Sequence, residues 1–406
     1  MGASAEQYIT YQHNVQRYFR DHSEKYAGVI IPISIAATFP TGTYGFIRAL
    51  CSKYNHSYAI DPRTALFQHK WDRSSVRPPH QRMAGIFGPP FDSMGLRRAL
   101  EPDDFSSPGV IAEICKRCID FQKDFRARKE DVRKLRKYKK LLGISQLDDL
   151  YEPQFLVPPY FLFDQRKDPW YDISMRFIRQ SLEASGNLPV QPVLHSPGWH
   201  TVDEWNPILQ DIHDCGIHAC WLYVNDFKEH DASPDDLQEY RATVEACDAA
   251  GVRPYSLFGG YFSILMGYYG LRGFGNGIGY GEWRDSGYHR GGTAMIRVYI
   301  PKVHRYLDAP AAQRLIDTDP DYFASTDLLA EYASGRKRLA DDLTLMEALD
   351  HFMECRYNEI QFVADAPVAQ ALAELETTCE HLEAIGPLEY ERYGTSLRRW
   401  ADSLRA

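Results

Sequence analysis

Residues 253–285 read RPYSLFGGYFSILMGYYGLRGFGNGIGYGEWRD. The stretch divides into a buried strand over 254–258, the pair Gly259-Gly260, a short apolar helix, a second strand interrupted by glycines, and the charged residues Glu282, Arg284 and Asp285. Glycines at 259, 260, 273, 275, 277, 279 and 281 remove side chains where backbone must turn or lie close to another group. Such density marks either a site or a corner of tight helix-on-sheet packing.

The same alternation continues outward on the N-terminal side. VIIPISIA (29–36) is an apolar run of strand length, as expected of a sheet covered on both faces. It leads to a helix over 44–53 and a short strand over 57–60 that ends at Asp61. FLVPPYFLF (155–163) reads as a strand interrupted by Pro158-Pro159, and further strands follow at 189–195, 217–224 and 294–300. Counted together, strands near 30, 58, 158, 192, 220, 255, 278 and 297 alternate mostly with helices, after an opening helix at the N-terminus. This predicts the α/β class, and eight is the number that closes a (β/α)8 TIM-like barrel. A doubly wound open sheet is the alternative, but no G-x-G-x-x-G follows the first strand. Residues 1–305 are expected to form the barrel, with 62–150 as an insertion, and 306–406 an all-helical extension that packs outside it or carries an oligomer interface.

Of the 406 residues, 44% are hydrophobic and 13% aromatic, ample for a core. The net charge of −9 hides an asymmetry: 116–140 holds twelve Lys or Arg against four Asp or Glu, leaving −17 for the rest of the chain. This basic run belongs to a helix predicted over 111–142. Arg126, Arg128, Lys129, Arg133, Lys134, Arg136 and Lys137, interleaved with Phe121, Phe125 and Tyr138, would bind a nucleic-acid backbone. The plainer reading is a solvated helix facing the acidic remainder or another subunit.

Eight scattered cysteines without a secretory h-region point to a reduced, cytoplasmic protein, and no apolar window approaches the roughly 18 residues of a membrane span. His195, His200 and His213 lack the spacing of a helix-borne ligand pair, and Cys115-x-x-Cys118 has no second pair, so no metal is expected. No Walker A follows the glycines, and no cofactor is expected.

In such a barrel the chemistry sits at the carboxyl ends of the strands. There the sequence places Asp61, Asp226 and Glu282 as carboxylates for acid/base or nucleophilic work, with Tyr261 and Arg284 beside them for substrate. Arg63, Asp164, His195, Asn225, Lys302 and His304 share those strand ends. Each carboxylate has a structural alternative: an Asx-turn before Pro62, a solvated loop beside Lys228, an exposed ion pair with Arg284. Gly259-Gly260, opening the helix that follows, would hold an anion on its N–H groups or form a wall for a flat ring.

The order of these signals resembles the tRNA-guanine transglycosylase barrels. DPRTALFQ (61–68) resembles that family's Asp-x-Gly-x-Phe-Gln segment, Gly259-Gly260 its base-binding turn, and GIGYG (277–281) its following glycine-rich strand. The resemblance implies exchange of a base in a polynucleotide, with Asp61 as an acidic catalytic residue, Gln68, Gly259 and Gly260 against the base, and Asp226 or Glu282 as nucleophile. Two features depart from the family: its Cys-x-Cys-x-x-Cys zinc site is absent, and VYIPKVHR (298–305) supplies no carboxylate where its nucleophile stands. The first functional expectation is therefore a transglycosylase-like enzyme acting on a nucleobase in nucleic acid, or on a small base or nucleotide. The alternatives are a barrel enzyme for a small phosphorylated or sugar substrate, and a non-catalytic recognition subunit of a larger complex.

Overall fold

The computed structural model describes residues 5–12, 15–70, 77–125, 132–143, 152–279, 281–287 and 296–405. Seven strands form one wholly parallel sheet: β1 Glu6–Thr10, β2 Gly28–Pro32, β3 Ser57–Asp61, β4 Val193–Ser196, β5 Ala219–Val224, β6 Arg253–Ser256 and β7 Gly273–Asn276. Their order is β3-β2-β1-β7-β6-β5-β4. Ile9 pairs with Val29 on one side and with Asn276 on the other, so the first and last strands meet at the middle of the sheet.

Segment 154–163 spans the gap between the two edges. Gln154 N donates to Tyr58 O of β3 at 2.9 Å, and Phe163 N donates to His195 O of β4 at 3.0 Å. Isolated parallel bridges join Leu156 to Val190 and Leu162 to His195. The sheet thus curls into a barrel with this segment as its eighth stave. Pro158-Pro159 cannot donate to a regular ladder, and side chains supply the missing partners. Gln122 bonds both polar groups of Val157 (3.0 and 2.8 Å), and Thr64 Oγ1 accepts from Tyr160 N at 2.8 Å and donates to Tyr160 O at 2.5 Å. Gln68 bonds both groups of Leu162 (2.6 and 2.9 Å), which engages the amide that the transglycosylase resemblance assigns to a base.

The two-residue period sorts the side chains. Tyr8, Ile30, Ala59, Trp221 and Tyr255 point into the barrel, where Tyr8 meets Trp221 edge-on at 5.2 Å and Trp221 stacks on Tyr255 at 4.9 Å. Ile9, Val29, Ile31, Tyr58 and Ile60 point outward into a core built with the surrounding helices. Gly275 of β7 has no room for a side chain, because an added Cβ would collide with the Leu257 carbonyl and crowd Ile30. Gly275→Ala is expected to cost about 1–3 kcal/mol through overpacking, measurable as a lower urea midpoint with unchanged m.

Three sequence expectations are corrected. The expected N-terminal helix is confined to Gln16–Asp21 and is preceded by β1, a five-residue strand (EQYIT) too short and polar to stand out, whose buried Gln7 donates to Asn276 Oδ1 at 3.0 Å. The strand near 297 is not a barrel stave. Arg297–Ile300 pairs antiparallel with Arg305–Asp308 in a separate two-stranded ribbon, and the glycine-rich strand read near 278 closes the series as β7. Finally, the helix expected over 111–142 is two helices, Pro108–Asp124 and Val132–Leu142.

The C-terminal helices share an apolar cluster with the barrel wall: Leu397, Trp400 and Leu404 pack with Tyr240, Phe262 and Phe274. Trp400 Nε1 also donates to Glu229 O at 3.0 Å, and Tyr269 OH to Leu404 O at 2.8 Å. Among the described residues, no helix is long and apolar enough to cross a membrane.

Candidate active site at the carboxyl end of the barrel

β3 ends on Asp61, and the chain then turns through Arg63, which takes a left-handed conformation (φ 51°). The turn folds Arg63 back onto the carboxylate. Its backbone N donates to Asp61 Oδ1 at 3.1 Å and its Nε to Oδ2 at 2.9 Å, while Tyr160 OH donates to Oδ1 at 2.9 Å. Asp61 is only 2% exposed, so the ion pair is desolvated. Arg63 Nη2 is also buried, with no hydrogen-bond partner among the described residues. Burial, reinforced by the Asp61 charge, pushes the Tyr160 phenol well up, so it remains an O–H donor.

Loop 282–287 lies over this end and is tied to β5. Asp226 N and Tyr223 OH both donate to Arg284 O, at 2.9 and 3.2 Å. Asn225 donates from Nδ2 to Asp285 Oδ1 at 3.2 Å and accepts from Ser286 N at 2.6 Å. The Arg284 guanidinium is thereby held near Arg63. That neighbouring charge first, and burial second, lower its pKa to about 10. No side-chain hydrogen bond holds that guanidinium among the described residues.

The two arginines border a pocket of about 330 Å³, together with Ser34, His80, Trp283 and Asp285. Below it, Asp61, Tyr160, Tyr223 and Phe258 line a narrow neck into the barrel. Tyr223 stacks on His195 at 3.9 Å, and burial lowers that imidazole to about 3, keeping it neutral. Chemically, the pocket offers two guanidiniums to an oxygen-rich anion.

Asp61 and Arg284 are thus brought together, but the other candidate carboxylates face elsewhere. Asp226 borders a neighbouring cleft of about 280 Å³, half exposed and paired with Lys228 at 3.3 Å. Glu282 turns towards the C-terminal helices, where it meets the buried Arg356. The N–H groups that follow Gly259 do hold an anion, and it belongs to the chain. Glu229 accepts from Gly260 N (2.8 Å), Phe262 N (2.9 Å) and Ser263 N (3.1 Å), and from Ser263 Oγ (2.6 Å). A Cβ added at Gly260 would stand 2.7 Å from that carboxylate, so the glycine makes room for Glu229. Tyr261 is buried, stacked on His304 at 3.4 Å.

Of the basic run, Arg126, Arg128 and Lys129 lie outside the described residues. Arg133 and Lys134 belong to the helix Val132–Leu142, and Arg136 and Lys137 are exposed on it. The interleaved aromatics Phe121, Phe125 and Tyr138 are core residues, not free stacking platforms. Sequence reasoning missed Tyr160 and Tyr223, which read as strand interior, and Glu229 and Arg356, whose partners are remote in the chain.

No protein-family model and no curated protein sequence matches the chain. Among solved structures it is similar to a 3-dehydroquinate dehydratase from Geobacillus kaustophilus, at 9% identity over 69% of this chain and 86% of that one, with a TM-score of 0.37. It is also similar to an intracellular xylanase from Thermoanaerobacterium saccharolyticum in complex with xylotriose (9% identity, 70% and 86% covered, TM-score 0.38). A modular endo-β-1,4-mannanase from Cellulomonas fimi gives 8% identity, 86% and 74% covered, and a TM-score of 0.39. Likeness at this level carries no argument about substrate or chemistry.

Proposed function

We propose that the chain is a barrel enzyme acting on a small phosphorylated substrate, whose phosphate sits between Arg63 and Arg284 at the barrel mouth. The observation that supports this reading is the pair of guanidiniums at one pocket, one with a buried Nη2 that has no partner among the described residues. A planar guanidinium matches phosphate with parallel N–H donors, and an anion there would relieve the repulsion between the two cations. Asp61 acts as a positioning residue: it fixes the plane of Arg63 and the direction of the Tyr160 O–H. Tyr160, bordering the same neck, keeps its proton directed at Asp61 and so holds that carboxylate, and through it Arg63, in place.

Base exchange gains no specific support from the geometry. That reading needs the Gly259-Gly260 wall open to a ring, whereas Glu229 and Ser263 fill its surroundings.

Arg284→Met is the cleaner test, because Arg63→Met would also strand the Asp61 charge. Titration calorimetry at low salt with inorganic phosphate and glucose 6-phosphate is expected to show saturable binding that Arg284→Met weakens at least ~10-fold, as for the loss of a charged hydrogen bond of about 1.5–3 kcal/mol. Equal affinity in the variant, or no phosphate binding at all, would exclude the pocket as a phosphate site.

A further inference from the structure

A larger cleft, of about 530 Å³, opens between the barrel wall and the C-terminal helices. Its floor is an ordered polar group. His304 takes a left-handed conformation (φ 49°) just after the turn Pro301–Val303, a position that a bulky residue holds only when its surroundings fix it. Its Nδ1 lies 2.6 Å from Glu359 Oε1, which also accepts from Tyr299 OH at 2.8 Å. Arg356 Nη1 sits 3.1 Å from the other oxygen of the same carboxylate. Tyr261 lies flat on the imidazole, 6° from parallel. Ring, carboxylate and guanidinium therefore lock His304 in one orientation at the base of the cleft.

The walls carry a different chemistry from the mouth pocket. Ser325, Thr326, Asn358, Gln370 and Thr377 present hydroxyl and amide groups, each able to donate and to accept. Lys302 and Glu374 add one charge of each sign. Tyr322 is fixed at the side, its OH bonded to Thr378 Oγ1 at 2.7 Å and its ring stacked on His381 at 3.7 Å. A phosphate would find no paired cations here, since the lining carries the single cation Lys302 beside the carboxylates Glu359 and Glu374. Alternating donors and acceptors on a rigid floor suit a ligand that is itself a chain of hydroxyls.

We propose that this cleft is a second binding site, separate from the barrel mouth, for a neutral polyhydroxylated ligand of sugar type. Its volume lies within the roughly 300–1,000 Å³ of small-molecule sites. The His304–Glu359 pair provides fixed hydrogen-bonding groups at the base, and the wall residues read the remaining hydroxyls.

The test uses the full chain and the probes D-glucose, D-xylose and cellobiose, followed by saturation-transfer NMR and calorimetry. At least one probe is expected to bind saturably in the millimolar range or tighter. Thr377→Trp, an exposed wall position filled by a bulky ring, is expected to weaken that binding at least tenfold, while Arg284→Met leaves it unchanged. Should Thr377→Trp fail to fold, Asn358→Trp fills the same space from the facing helix. The proposal is overturned by no binding of any probe, by binding that survives both filling variants, or by binding lost with Arg284→Met, which would place the sugar at the mouth. Phosphate binding at Arg284 stands or falls independently of these results.

Discussion

Arg356→Met is expected to destabilise the protein by about 3–5 kcal/mol, the cost of leaving buried charge without its partner. The Arg356 side chain is 0% exposed. It contacts Glu282 and Glu359 and lies over the rings of Tyr299 and Phe352 at 5.2 and 5.3 Å. Burial works against its charge, and Tyr299, Glu359 and Glu282 more than offset that, so its pKa is pushed up. Methionine keeps much of the volume and the aromatic contacts but removes the cation from between the carboxylates. Equilibrium urea denaturation at pH 7 measures the loss. A variant as stable as the parent would show that the carboxylates there do not depend on Arg356.

The second large effect is on pH dependence. Burial raises Glu282 to about 8; Arg356 works against that rise, and the nearby Glu229 and Glu359 add to it. Burial also raises Glu229. Glu282 therefore retains its proton near neutrality. An unfolded glutamate releases its proton near 4.5, so between about 4.5 and 8 the folded chain holds a proton that the unfolded chain has lost. The contribution is complete below that window and fades as pH rises through about 8, at up to about 1.4 kcal/mol per pH unit. Glu282→Gln imitates the protonated form and removes the titration. Melting temperature is expected to fall from pH 6 to pH 9 in the parent and to stay flatter in the variant, which becomes the more stable of the two at pH 9. Parallel profiles would refute the retained proton.

Both effects arise where the sequence was least readable. The first half of VIIPISIA announces a buried parallel strand, because a strand covered on both faces needs no polar alternation, but the strand ends at Pro32 and its second half belongs to the helix Ile33–Thr38. β1 escapes that signal: Glu, Gln and Thr make up three of the five residues of EQYIT, and Asn276, which accepts from the buried Gln7 amide, lies 269 residues away. The run VYI at 298–300 is as apolar as a barrel strand, yet periodicity does not reveal which sheet a strand joins. At the mouth, Asp61 and Arg284 are legible as polar residues beyond strand ends. Their setting is not, because it depends on Tyr160, 99 residues from Asp61. A helix N-terminus preceded by two glycines signals a bound anion, and nothing local reveals that the chain itself provides one from Glu229.

The stave carrying Pro158-Pro159 gives the barrel an uneven stiffness. Around most of the ring, neighbours are joined by repeating backbone ladders that must break together. At this seam a few isolated backbone bonds are supplemented by three side chains, Thr64, Gln68 and Gln122, in place of a continuous ladder. The ring is thus a bracelet with a clasp, and Tyr160 is mounted on the clasp. A hydrogen-bonding group on the less regular side of the ring can shift without breaking the ladders of the other staves.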